Sequence, residues 1–175
     1  DGGRRSLRPG TRHLYLAPVS TVVPPSGYFL ANRFGRIFLA SLEETVGRNG
    51  LNALLNLSGR GSLITAPPPD DVQLAFDTAA VSALLAALEL VYGPRGARGL
   101  AMRAGRAMFD RLVDGFELPT GFNPLAFRLL PQPTRLKIGV PALARLVTQH
   151  SDMACRVADR GAYFEYTTER CADCW

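Results

Sequence analysis

The run AAVSALLAAL, residues 79–88, constrains the fold more than any other feature of the chain. It belongs to an Ala/Leu-rich stretch reaching Tyr92 that is apolar nearly all round, and a helix without a polar face has to be covered by other elements. A bilayer span needs roughly 20 such residues. This run is interrupted by Ser82 and followed by Glu89, so it reads as a buried central helix with Asp77 as its N-cap. Gly93 and Pro94 follow in the order expected at a helix end, the glycine for a left-handed cap and the proline just beyond.

The remaining segments are expected to wrap that helix. Residues 1–27, with DGGRRSLRPG and PVSTVVPPSG, form a Gly/Arg/Pro-rich stretch that reads as an extended arm. From Asn32, the residues Phe34, Ile37, Phe38, Ser41 and Leu42 recur at helical spacing up to a stop at Gly47. Leu51, Leu54, Leu55 and Leu57 predict a short second helix closed by Gly59 and Gly61. Pro67, Pro68 and Pro69 then exclude regular structure, and Asp70 or Asp71 can cap a short turn. Past Pro94, the residues Leu100, Ala104, Ala107, Met108, Arg111 and Leu112 share one helical face up to Gly115. Pro119, Gly121 and Pro124 mark a loop. Over residues 134–151 two periodicities compete. Leu136, Ile138 and Val140 alternate as in a strand, whereas Leu136, Val140, Leu143, Ala144 and Val147 fit a helix; with Pro141 at a first helical position, a helix over about 141–151 is expected. A turn at residues 159–161, between stretches holding Val157 and Tyr163, Tyr166 and Thr167, predicts a β-hairpin.

A length of 175 residues suits one domain, and 47% apolar with 20% charged residues is a globular composition. The net charge of +5 comes from 19 arginines and the single Lys137 against 15 carboxylates. These charges are dispersed, as in a general compositional skew, while guanidinium recognition of phosphate or carboxylate is the functional alternative. Nucleic-acid binding would want a basic face interleaved with exposed aromatics. The aromatics sit at core-like spacing instead, so nucleic acid is not expected as a partner. Three cysteines, an odd number, argue against a disulfide scaffold and for a reducing cytoplasm.

Two stretches carry candidate chemistry. Cys171 and Cys174 have Cys-x-x-Cys spacing, which lets both thiolates reach one tetrahedral zinc. Cys155 on the partner strand of the hairpin and His150 just before it are the candidates to complete the set. A redox pair and plain reduced thiols are the alternatives, the redox option lacking a βαβ context. In YGPRGARGLAMRAGR, residues 92–106, Gly93, Gly96 and Gly99 can present backbone N–H groups to an anion beside Arg95 and Arg98. The structural alternative is that Gly99 and Gly105 let helices approach closely. No phosphate-loop or dinucleotide pattern follows, and two histidines supply no recognisable nucleophilic triad. The pairs Glu43 with Glu44 and Asp70 with Asp71 read as helix and cap chemistry.

NRFGRIFLASLEETVGRNGLNALLNLSG, YGPRGARGLAMRAGRAMF and LKIGVPALARL leading into ERCADCW together resemble hydrocarbon-binding proteins with a 4-vinyl reductase-type domain. The resemblance covers roughly residues 28–175. It implies an α+β fold of the nitric-oxide-signalling and Golgi-transport ligand-binding kind, related to haem–nitric-oxide sensor domains and TRAPP vesicle-tethering subunits. Helices there pack on an antiparallel sheet around an apolar ligand cavity. It also implies dimerisation, and continuation of related chains past Cys-x-x-Cys-Trp, so the ligand-binding domain is expected to be truncated at its C-terminal end.

The expectation is therefore a mainly helical N-terminal part packed on a C-terminal antiparallel hairpin. Phe34, Phe38, Leu42, Leu84, Leu88, Met102, Phe109 and Leu143 would wall a core or internal cavity. The expected function is non-catalytic binding or carriage of a lipid, hydrocarbon or tetrapyrrole, with Arg98, Arg103 or Arg106 holding an acidic group at the mouth. A structural zinc and a cytoplasmic location, peripheral to a membrane complex, complete that reading. The rivals are an accessory factor or enzyme of bacteriochlorophyll synthesis and a structural subunit docking through the arm.

Overall fold

The structure, a computed structural model, describes residues 24–116, 127 and 129–169. Along the chain run β1 (Phe29–Ala31), α1 (Asn32–Leu57), α2 (Ser62–Thr65), β2 (Leu74–Asp77), α3 (Ala79–Gly115), α4 (Gln132–Gln149), β3 (Ala154–Asp159) and β4 (Phe164–Glu169). The architecture is α+β, and the described residues form two antiparallel strand pairs, β1 with β2 and β3 with β4.

Both long helices are broken once, at the glycines the sequence marks. Gly47 (φ 77°, ψ 163°) interrupts α1 and Gly93 (φ 69°, ψ 167°) interrupts α3. Positive φ is open to glycine without a Cβ penalty. Gly93 is thus a break within α3 rather than its end, and Pro94 opens the following half, where a missing N–H costs nothing.

The start of α1 has no side-chain cap on Ala31. Its orphan donors are met instead by the segment after the prolines: Asn32 N–H donates to the Gln73 carbonyl and Arg33 N–H to the Asp71 carbonyl, each at 2.9 Å. Asp71 Oδ1 also accepts from Asn32 Nδ2 at 2.9 Å, and Arg33 Nε pairs with Asp70 Oδ1 at 2.6 Å. The two aspartates therefore hold the entry of α1. Asp77 Oδ1 accepts from Ala79 N–H at 2.8 Å, one position off the expected N-cap, and also from Ser26 Oγ at 2.6 Å. Ser26, assigned by sequence to the arm, is tied into the folded domain; residues 1–23 lie outside the described residues.

The hairpin of β3 and β4 forms as expected. Cys155 pairs with Thr168 and Val157 with Tyr166, and Gly161 (φ 80°) turns the chain with its N–H on Asp159 Oδ1 at 2.8 Å. The β1/β2 pair was not legible, because a three-residue strand is too short to display alternation. One bridge, Leu30 with Ser151, ties β1 to the segment between α4 and β3.

Two apolar clusters make the core. In the first, Leu39, Leu42, Leu51, Leu54 and Leu55 of α1 close over Leu84, Ala87 and Leu88 of α3. In the second, Leu30, Phe34, Phe76, Leu112, Phe116 and Leu146 join β1, the start of α1, β2 and the ends of α3 and α4. Glu44 and Arg111 tie α1 to α3 at 2.6 Å.

Two expectations are corrected. The central helix is buried on one side only: Leu85, Leu90, Val91 and Tyr92 are exposed, so its opposite face lacks the expected cover among the described residues. And α4 begins at Gln132, with Pro141 inside it, rather than at Pro141. No helix among the described residues is long and apolar enough to cross a membrane.

Candidate functional site: a groove between α3 and α4

The C-terminal half of α4 docks firmly, with Ala144 and Leu146 buried and Leu146 in the second core cluster. Its main neighbour is β3 rather than α3, and its first turns are exposed. The N-terminal half of α4 therefore stands away from α3 and leaves a groove. Phe127 lies between the two helices, and a Cβ on Gly139 would come within 3.1 Å of its Cζ, so glycine at 139 permits that approach.

The groove has two adjoining lobes. One, of about 340 Å³, is lined by Phe109, Phe127, Leu136, Val140 and Leu143, together with Gln132 and Arg135. The other, of about 680 Å³, is lined by Met102, Gly105, Phe109, Val113 and Phe127, with Arg106, Asp110 and Arg135 as its charged members. Phe109, Phe127 and Arg135 belong to both lobes. Volumes of this order suit a small organic ligand, for which an apolar wall and a few charged groups are the usual composition.

Of the residues singled out by sequence, Met102, Arg106 and Phe109 come together here, and Leu143 with them. The others do not. Phe34 is buried against Phe116 with ring centroids 4.9 Å apart, and Phe38 packs on the leucine cluster, so both belong to the core. Arg98 and Arg103 are exposed on α3 and do not line the groove. In place of the expected internal cavity, the described residues form a groove open to solvent. Arg135 and Phe127 were not singled out, and Leu136 and Val140 were read on the helical face of Leu143 without being assigned to a site; an α4 start at Gln132 would have added Arg135 to the same helix.

No model of a protein family matches this chain, and neither a curated protein nor a solved structure does.

Cys171 and Cys174 lie outside the described residues. Among the described ones, no three His, Cys, Asp or Glu side chains gather as a metal would require. Cys155 is a half-buried thiol whose backbone N–H donates to Thr148 Oγ1 at 2.9 Å. The close-approach reading of Gly99 and Gly105 finds no support among the described residues, where a Cβ at either would meet nothing within 4 Å.

His150 sits instead in an aromatic cluster. Its ring lies 4.7 Å from that of Phe116, over which the Arg33 guanidinium is placed at 5.7 Å. Burial first, and the Arg33 charge second, hold its pKa below the ordinary value of 6.5. A histidine whose folded pKa is depressed binds its proton more readily when unfolded, so its contribution to stability is complete above about pH 6.5 and declines as pH falls below it. The melting temperature should therefore drop between pH 7 and pH 5, and His150→Phe, which keeps the ring contact, should flatten part of that drop. An unchanged profile in the variant would place the pH dependence elsewhere.

Proposed function

We propose that the groove between α3 and α4 binds an apolar small molecule, in a carrier or binding role rather than a catalytic one. The observation behind this reading is the apolar lining of Met102, Phe109, Leu136, Val140 and Leu143 from two helices that scarcely touch beside it, with Phe127 between them. Burying such a surface against a ligand yields about 25 cal/mol per Å² before the costs of association. The resemblance to hydrocarbon-binding domains suggests the same class of ligand on separate grounds.

Gly105 provides the test. It lines the larger lobe, and a side chain there would meet no atom of the described residues within 4 Å of its Cβ, so Gly105→Leu should fill the groove without disturbing the core. Replacing a helix-interior glycine by leucine should also stabilise the fold by up to about 1 kcal/mol. The expected result is a melting temperature equal to or above that of the wild type, with affinity for the neutral probe N-phenyl-1-naphthylamine reduced at least about 10-fold, a difference of about 1.4 kcal/mol. Undiminished probe binding by the leucine variant would place the ligand site elsewhere.

A further inference from the structure

The groove is apolar along its walls but carries two cations from opposite sides. Arg106 projects from α3 and Arg135 from α4, and both line the larger lobe. Elsewhere on the surface the arginines with a structural task have partners: Arg33 with Asp70, Arg111 with Glu44, and Arg160 with Glu165. Among the described residues neither Arg106 nor Arg135 is bonded to a carboxylate. Among the described residues Asp110 is the one carboxylate lining the groove, and it is engaged in an interaction of its own. Counted over the described lining residues, two guanidinium charges stand against one carboxylate, an excess of one positive charge.

We propose that Arg106 and Arg135 form a two-sided clamp for a monoanionic head group, so that the ligand is an amphipathic monocarboxylate such as a long-chain acid. The proposal rests on the groove being the apolar ligand site and adds the chemistry of the ligand's polar end. A guanidinium offers a planar fork of N–H donors that matches a carboxylate, and a charge-assisted hydrogen bond is about twice as strong as a neutral one. The apolar chain would lie along Phe109 and Phe127 toward Leu136 and Val140, the direction in which the groove loses its charged groups. Because Arg135 borders both lobes, a carboxylate held there leaves the smaller, more apolar lobe free for the chain. Such a ligand would also bridge α3 and α4 where the protein itself makes little contact between them.

The test is a fluorescence titration of the full chain with cis-parinaric acid and with its methyl ester. The wild type should prefer the acid by about 10-fold or more, the scale set by 1.4 kcal/mol per decade. Arg106→Gln and Arg135→Gln should each weaken the acid by roughly 10-fold and shift the ester by less than about twofold, and the double variant should abolish the preference. Arg98→Gln and Arg103→Gln, on α3 but outside the groove, should leave both titrations as they are. Equal binding of acid and ester by the wild type overturns the clamp while leaving the apolar groove in place. So does an equal loss of both probes in the arginine variants. If the wild type binds neither probe, the groove reading itself falls and the clamp with it.

Discussion

Leu84→Ala should destabilise the protein by about 3 kcal/mol, the usual cost of a large cavity at a closed leucine site. Leu84 has no exposed surface and lies in the cluster where Leu42, Leu54 and Leu55 of α1 close over α3. That contact is the most extensive between any two elements of the described structure, so little can collapse into the void without moving one helix against the other. Against a total stability of about 5–15 kcal/mol, the loss is a large fraction. The matching control is Leu90→Ala on the same helix, where the leucine is 70% exposed and the cost should stay within about 0.5 kcal/mol. Both substitutions change helix propensity alike, so their difference isolates burial. Urea unfolding should move the midpoint of the first variant at constant slope and leave the second near wild type. Comparable losses at the two sites would mean that α3 is rotated from the orientation described.

Gly35→Ala should also destabilise, by about 2 kcal/mol, although helix propensity alone predicts a gain of about 1 kcal/mol. Gly35 is buried in α1 directly beneath the ring of Phe76 on β2, and a Cβ built on it would overlap Cδ2 and Cγ of that ring. Those are atoms near the root of a side chain itself only 5% exposed, so the ring cannot swing aside at low cost. The two contributions have opposite sign, and the overlap is the larger. Adding Phe76→Leu, which shortens the opposing side chain, should recover much of the loss in a double-mutant cycle. An alanine variant more stable than wild type would show that β2 lies farther from α1 than described.

Much of the helical scaffold was legible in residue patterns. Phe34, Leu42, Leu84 and Leu88 were expected in the core and are buried there, because 3.6-residue spacing places side chains on one face wherever that face ends up. The breaks at Gly47 and Gly93 were legible for a local reason: each carries a positive φ that other residues adopt only with strain. The hairpin turn at Gly161 belongs to the same class. Met102 was expected to wall a core or a cavity; its side chain is 54% exposed and lines the groove rather than the core. Periodicity defines a face but not what stands opposite it.

What the sequence determined alone is therefore local: where helices run and break, which face of each is apolar, where the hairpin turns, and that the charge is dispersed arginine. These follow from backbone sterics and side-chain period, which act over a few residues. The tertiary structure decided the rest. It paired β1 with β2 across more than forty residues of chain, capped α1 from the segment after the prolines, and covered only one side of the central helix. It also docked α4 by its C-terminal half alone, and so set Arg135 of one helix and Arg106 of another around the same apolar groove. That juxtaposition depends on how two helices diverge, a property of long-range packing that no spacing within either helix encodes.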